Sequence, residues 1–230
     1  MCNSDQRNDR VGTGKERFMK FTEKLLKHPE FLRLQKRVQQ IEQNRIYCHH
    51  ELSHALDVCR MAWMMCLEDQ MQEKLRSESE IDLKNSYDRE SVLESGKRIT
   101  KERNAECTDD ICKKKQGSVN LQEKKDQIYV TGLLHDIGRV AQYETGEHHS
   151  EAGMRIAKQL LSEIGYPAEW MSETLQIVGV HHGREEEKDE SGTMEYYIRR
   201  ADHLSRNCFL CEAADSCKWS DEERNQTIFW

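Results

Sequence analysis

Y-V-T-G-L-L-H-D-I-G-R, residues 129–139, is the segment around which the rest of this chain is organised. An apolar run at 130–134 leads directly into His135 and Asp136, and Gly138 is expected to break the helix. Polar groups beside a core need partners, and a divalent metal suits a neutral imidazole nitrogen and a charged carboxylate oxygen together. Alone, the pair equally fits a helix end with a surface aspartate, so the interpretation depends on the other histidines.

The other candidate ligands lie in four further segments with helical apolar periodicity. They are H-H-E-L-S-H-A-L-D-V (49–58) with His50 and His54, E-H-H-S-E-A-G (147–153) with His149, I-V-G-V-H-H-G (177–183) with His181, and I-R-R-A-D-H-L-S-R (198–206) with Asp202. His50 and His54 are four residues apart, so they share one face of a helix. Histidines and acids at this many helix ends favour one shared metal site over scattered surface histidines.

Composition and charge restrict the class of protein. The net charge of −7 argues against a general nucleic-acid-binding surface, although it allows a local basic pocket. No apolar run approaches the ~20 residues that span a bilayer, and the N-terminus lacks a signal-peptide core. We therefore expect a cytoplasmic protein without membrane segments, whose nine cysteines are reduced thiols or metal ligands.

The hydrophobic pattern predicts an all-α fold in four parts, since no segment alternates as a strand does. Residues 1–47 are expected to form N-terminal helices packing on the core, and 48–71 with 126–206 to form the domain that carries the histidines. Residues 72–125 are a charged insertion, disordered or a loose helical excursion, because apolar residues are sparse there. Residues 207–230 are expected to form a cysteine-containing C-terminal cap.

The ordered set H…HD…H…H…D on successive helices resembles the HD superfamily of metal-dependent phosphohydrolases. H-A-L-D-V-C-R, from His54, is similar to the first histidine segment of that family, and L-L-H-D-I-G-R is similar to its L-L-H-D-I-G-K, with Arg139 in place of the common lysine. H-S-E-A-G and I-V-G-V-H-H resemble the third and fourth segments, and A-D-H-L-S resembles the final A-D-x-L-S. The similarity covers about residues 48–206 without the insertion and implies an HD-domain helical bundle.

The resemblance implies one or two bound divalent ions. The ligands it implies are His54, His135, Asp136, His149, His181 and Asp202. The second ion would be held by His149 and His181 and would share Asp136 with the first. The neighbouring His148 and His182 could exchange roles with those two histidines. The expected ions are Fe, Mn or Mg, with an imidazole-rich second site favouring a transition metal over Mg²⁺, and Zn is not excluded.

The resemblance also implies a catalytic set around these ligands. Its members are His135, Asp136, Arg139 and His50. His50, one turn before His54, is expected to contact phosphate or to support a ligand. Arg139, Arg184 and Arg206 are candidate phosphate clamps, because the guanidinium group matches the geometry of phosphate.

The function implied is hydrolysis of a phosphoester or phosphoanhydride in a small, nucleotide-like substrate by metal-activated water. The segments typical of cyclic-dinucleotide and alarmone hydrolases of this superfamily do not follow His182 or Arg139. One alternative is a catalytically silent HD module that binds a nucleotide or a protein as a sensor. A second alternative is a di-iron oxygenase, because the same ligands can host oxygen chemistry.

Three cysteines near the C-terminus have the spacing C-x2-C-x5-C. They are Cys208, Cys211 and Cys217. Three thiolates need a fourth ligand for a closed site, and Cys48 is a conceivable donor to a separate zinc or iron–sulfur site. The alternative is a cap of buried, reduced cysteines anchored by Trp219.

Overall fold

The computed structural model describes residues 19–94, 120–180 and 192–228, with side chains described to residue 79 in the first range. The fold is all-α, as predicted, and the described ranges contain no strand. The helices are α1 (Lys20–Leu26), α2 (Pro29–Ile41), α3 (Leu52–Glu94), α4 (Leu121–Leu134), α5 (Arg139–Thr145), α6 (His149–Glu163), α7 (Ala168–Val180) and α8 (Met194–Leu204). Within these ranges, no helix is both long enough and apolar enough to cross a bilayer.

Helix α4 lies at the centre of the bundle. It packs against α1, α3, α7 and α8, and it is buried on nearly every side over its last nine residues. Its approach to α3 is close, because a Cβ atom on Gly132 would lie 2.7 Å from the sulfur of Cys59. The apolar run before His135 is therefore the core helix that the sequence predicts, and it carries the His-Asp pair into the interior.

The turn after α4, which carries His135 and Asp136, contacts the start of α6. Residues 135–138 separate α4 from α5, and Gly138 has an ordinary right-handed conformation with φ of −77°. A Cβ atom there would lie 1.9 Å from the carbonyl oxygen of His149 and 2.5 Å from the backbone nitrogen of Gly153. A glycine is therefore required because the first turn of α6 touches its α-carbon, and not because the turn needs a positive φ.

A buried aspartate joins the N-terminal helices to α4. The carboxylate of Asp126 accepts hydrogen bonds from the backbone nitrogens of Phe21 at 2.9 Å and Thr22 at 2.8 Å, and from the Thr22 hydroxyl at 2.6 Å. The first turn of a helix leaves its N–H groups without intrahelical partners, and Asp126 supplies that partner from another helix. The contact fixes α1 on the bundle.

The charged insertion begins as a continuation of α3. The sparse apolar pattern predicts that the charged insertion begins at residue 72, whereas α3 continues to Glu94. Residues 72–94 are therefore part of this helix. Residues 95–119 lie outside the described residues, and Asn120 caps the start of α4 by accepting a hydrogen bond from the backbone nitrogen of Gln122 at 3.1 Å.

After α8 the chain forms two short 3₁₀ turns, Cys208–Leu210 and Ala214–Ser216. The side-chain amide of Asn225 donates hydrogen bonds to the carbonyl oxygens of His203 at 2.9 Å and Arg206 at 2.8 Å. Asn225 thus satisfies carbonyl groups at the end of α8. The C-terminal segment is folded back against the helix that carries Asp202.

Candidate metal centre

Three helix ends converge at one point of the bundle. His54 lies in the first turn of α3, and His135 and Asp136 directly follow the last residue of α4. Asp202 lies in the last turn of α8. Because α3 packs against both α4 and α8, the four side chains meet at the junction of these helices.

The four side chains form a tight group of potential ligand atoms. Each contributes one atom, and these atoms all lie within 4.8 Å of one another. The Nε2 atom of His54 is 3.2 Å from an oxygen of Asp202, and the Nε2 atom of His135 is 3.2 Å from an oxygen of Asp136. Two imidazole nitrogens and two carboxylate oxygens are a suitable donor set for a divalent cation.

Both histidines are oriented by hydrogen bonds on the far side of the ring. The Nδ1 atom of His135 lies 2.6 Å from the carbonyl oxygen of Gly132, which can only accept a hydrogen bond. The Nδ1 atom of His54 lies 3.4 Å from the hydroxyl of Ser205. The carbonyl of Gly132 holds a proton on Nδ1 of His135, and in both rings the Nε2 atom is the one that faces the shared site.

The two carboxylates act on the protonation of His135. Burial lowers the pKa of His135, but the carboxylates of Asp136 and Asp202 outweigh burial and raise the pKa to about 9. Burial raises the pKa of Asp202, but contact with His54 and the charge of His135 hold that pKa well below its ordinary value. The site therefore favours positive charge, which either a proton or a metal ion can supply.

Arg139 fixes the carboxylate of Asp136. Its Nε donates a hydrogen bond of 2.8 Å to Oδ1, while Oδ2 is the oxygen that faces His135. One oxygen of Asp136 is thus held by the protein and the other is directed at the ligand group. The guanidinium also lines the cavity that opens onto this group.

That cavity has a volume of about 460 Å³ and is rich in positive charge. Its basic lining side chains are Arg45, Arg139, Arg199, Arg200, Arg206 and Lys218. Trp219 belongs to the same wall, with the guanidinium of Arg206 4.4 Å from its ring centroid. Since the whole chain carries a net charge of −7, the cavity is a local basic pocket in an acidic protein.

A buried glutamate that sequence reasoning missed supports His50. The carboxylate of Glu42 accepts hydrogen bonds from the backbone nitrogen of His50 at 2.7 Å, from its Nδ1 at 2.6 Å and from the hydroxyl of Tyr143 at 2.5 Å. Burial raises the pKa of Glu42, but these hydrogen bonds outweigh burial and lower the pKa to about 2. His50 is thereby held in the cavity wall with its Nε2 directed away from Glu42.

The remaining predicted residues fall into two groups. His149 is buried and lines the cavity, but it does not belong to the tight group of four. Arg206 also lines the cavity. His181, His182 and Arg184 lie outside the described residues.

Some cavity residues carried a signal in the sequence. Arg199 is three residues before Asp202 and Arg206 is four after it, so helical spacing puts both on the face of the aspartate. Arg45 and Lys218 in the cavity wall, and Glu42 behind His50, had no such signal, because the chain fold alone brings them to the site.

The fold and the site define a class of helical proteins with a histidine–aspartate cluster suited to a divalent metal, and comparison with known proteins identifies the family. The model of the HD domain matches residues 91–217, more than half of the chain. The chain belongs to the HD domain family, as the motifs predicted. The matched range includes His135, Asp136 and Asp202, whereas His54 lies before it.

A protein of Clostridium beijerinckii, described as an uncharacterized protein, is 27% identical over 208 residues. The alignment covers 90% of this chain and 96% of the relative, so the two proteins correspond over nearly their whole lengths. No solved structure matches the chain.

Proposed function

We propose that this protein is a metal-dependent phosphohydrolase that cleaves a phosphoester or phosphoanhydride bond in a nucleotide-like substrate, with a metal-activated water as nucleophile. One observation carries the proposal: four ligand atoms within 4.8 Å of one another lie at a cavity lined by six basic side chains. Membership of the HD family supports the same class of reaction.

His54, His135, Asp136 and Asp202 would hold the first ion. Fe, Mn or Mg is the expected metal, with Zn also compatible with the ligands. A second ion would use His149 and His181 and share Asp136. A bound divalent ion neutralises charge on phosphate oxygens and lowers the pKa of a bound water, which is what phosphate ester hydrolysis requires near neutral pH.

The protein groups around the ligands have separate tasks. Gly132 and Ser205 orient the two imidazoles through their Nδ1 atoms, and Arg139 holds one oxygen of Asp136. Glu42 holds His50 at the cavity wall, where its Nε2 can contact a phosphate oxygen. These contacts are made before any substrate binds, so the site needs little rearrangement to become reactive.

The basic wall supports a substrate with more than one phosphate. Several arginines around one cavity suit bidentate contacts with phosphate oxygens. Trp219 adds an aromatic surface at the same wall, which favours a nucleotide over inorganic polyphosphate, because a base can stack on a ring.

The test is a screen of the purified protein, loaded separately with Mn²⁺, Fe²⁺, Mg²⁺ and Zn²⁺, against nucleoside mono-, di- and triphosphates, dinucleoside polyphosphates and cyclic nucleotides. Release of phosphate or of a nucleotide product that depends on the metal and on Asp202 supports the proposal. The proposal is wrong if metal-loaded protein binds nucleotides but turns none over. That result would favour the sensor alternative.

A further inference from the structure

A second cavity of about 420 Å³ lies beside the first, and four cysteines line it. They are Cys48, Cys208, Cys211 and Cys217. Each is partly buried, and none forms a disulfide. The other described cysteines, Cys59 and Cys66, lie in the hydrophobic core.

Distant parts of the chain are needed to bring these thiols together. Cys48 precedes α3, whereas the other three lie in the turns after α8. The hydroxyl of Tyr47, the residue before Cys48, donates a hydrogen bond of 3.2 Å to the carbonyl oxygen of Ser216, the residue before Cys217. This contact joins the two segments next to the cavity.

Short turns of the backbone bring the three C-terminal cysteines to the same cavity. The backbone nitrogen of Cys211 donates to the carbonyl oxygen of Cys208 at 3.1 Å, and that of Cys217 donates to Ala214 at 3.1 Å. Burial raises the pKa of the Cys48 thiol, and the charges of Cys208, Cys211 and Cys217 raise it further, while Arg206 opposes them. The four thiols therefore belong to one electrostatic group at the cavity.

We propose that Cys48, Cys208, Cys211 and Cys217 form a tetrathiolate site for a thiophilic metal centre, distinct from the histidine–aspartate centre. Four thiolates are the ligand set of structural zinc and of iron–sulfur clusters. A set of free, half-buried thiols without disulfides is otherwise an exposed oxidation hazard.

The spacing of the sulfurs bears on which centre is bound. Among the described residues, the histidine–aspartate group is the one whose ligand atoms all lie within 4.8 Å of one another. No three of the four sulfurs lie that close together. A zinc ion with Zn–S bonds of ~2.3 Å would hold its four sulfurs about 3.8 Å apart. Zinc would therefore draw these turns inward, whereas a cubane iron–sulfur cluster accepts ligands at a wider spacing.

The position of this centre gives it a structural task at the first cavity. Cys48 and Cys217 line both cavities, and Lys218 and Trp219 directly follow Cys217 in the wall of the first. A metal on the four thiolates would fix that wall. Its loss should loosen Lys218 and Trp219 without removing any ligand of the histidine–aspartate centre.

The experiment measures metal and acid-labile sulfide in full-length protein purified without oxygen, in an Asp202→Ala background that weakens the first centre. We expect either about one zinc, or about four iron with matching sulfide and visible absorption, per chain. Cys208→Ser with Cys211→Ser should abolish that metal. Cys66→Ser, at a buried thiol outside the cavity, should retain it.

Cobalt provides a readout if the double variant fails to fold. Co²⁺ added to the reduced, metal-free Asp202→Ala protein should give the intense absorption of thiolate-to-cobalt charge transfer, and Cys48→Ser should weaken it. The proposal is overturned if the Asp202→Ala protein is purified without zinc or iron and Co²⁺ produces no thiolate absorption. Metal retained equally in the double cysteine variant would also overturn it.

Discussion

Glu42 and His50 are joined by two hydrogen bonds, from the backbone nitrogen of His50 at 2.7 Å and from its Nδ1 at 2.6 Å, both to the same buried carboxylate. Glu42 directly follows the last residue of α2, and His50 lies just before α3. The pair therefore fixes the loop between two helices and the rotation of a cavity side chain at once. A carboxylate that orients an imidazole in this way acts on the site through another residue.

Glu42→Gln should reduce turnover by about 10–100-fold while leaving the metal content unchanged. A glutamine oxygen can still accept from a backbone nitrogen, but its amide cannot accept the second hydrogen bond from Nδ1 of His50. Steady-state kinetics on the substrate found by the nucleotide screen, with metal analysis of the same sample, measure both quantities.

Tyr143→Phe is the matched control for this variant. It removes the phenol that donates to Glu42 at 2.5 Å and leaves both hydrogen bonds to His50. Turnover should fall much less than in Glu42→Gln. Equal losses in the two variants would show that the whole network, rather than the orientation of His50, supports activity.

The same glutamate makes stability depend on pH in the acid range. Its pKa is about 2 in the folded protein, against an ordinary value of 4.5. A lowered pKa means that the stabilisation is present above about pH 4.5 and is lost as the pH falls toward 2. Between pH 7 and pH 3 the loss from Glu42 amounts to about 2 kcal/mol of unfolding free energy.

Urea denaturation of the wild type and Glu42→Gln at these two pH values measures this contribution. The variant should lose about 2 kcal/mol less than the wild type between pH 7 and pH 3. Glu30→Gln is the control, since the Glu30–Arg33 pair is exposed and solvent screens it. An equal pH slope in wild type and Glu42→Gln would contradict the buried, charged state of Glu42.

The fold was predictable because its main signals are local. Helical periodicity predicted the all-α fold, and the motifs predicted the HD domain that the family model matches. The end of α3 was not predictable in this way. Its charged continuation to Glu94 lacks the apolar stripe by which a packed helix is recognised.

The clustering of His54, His135, Asp136 and Asp202 was predictable because a histidine or an aspartate at a helix end is conspicuous in sequence. The residues around them were not, since a glutamate after α2 or an arginine in a loop resembles an ordinary surface residue. Glu42 and Asp126 are identified by burial, which depends on contacts between distant helices. Sequence periodicity contains no information on such contacts unless the helices are already placed.

Asp136→Ala should remove the bound metal and abolish turnover, while the helical content stays largely intact. The aspartate directs one oxygen at the ligand group and receives Arg139 on the other, so its loss leaves the site with less negative charge. Metal analysis, activity and circular dichroism of the same preparation measure the three effects. Glu151→Ala changes an exposed acid close to the cavity residue His149 and should retain both metal and activity. Full activity in Asp136→Ala would disprove the assignment of Asp136 as a ligand.

Gly138→Ala should destabilise the protein by about 3 kcal/mol, because the new methyl group meets backbone atoms that cannot rotate away. The Cβ atom would lie 1.9 Å from the carbonyl oxygen of His149, so the turn after α4 and the start of α6 must separate.

Gly153→Ala is the control on the same contact. Its Cβ would meet one methyl group of Val178 at 3.1 Å, which a shift of a few tenths of an ångström relieves, and alanine favours a helix interior by about 1 kcal/mol, so that variant should be nearly neutral. Thermal unfolding followed by circular dichroism should show a drop in Tm for Gly138→Ala of about 6–12 °C relative to the wild type. A Tm for Gly138→Ala equal to that of Gly153→Ala would mean that α6 does not touch the turn that carries His135 and Asp136.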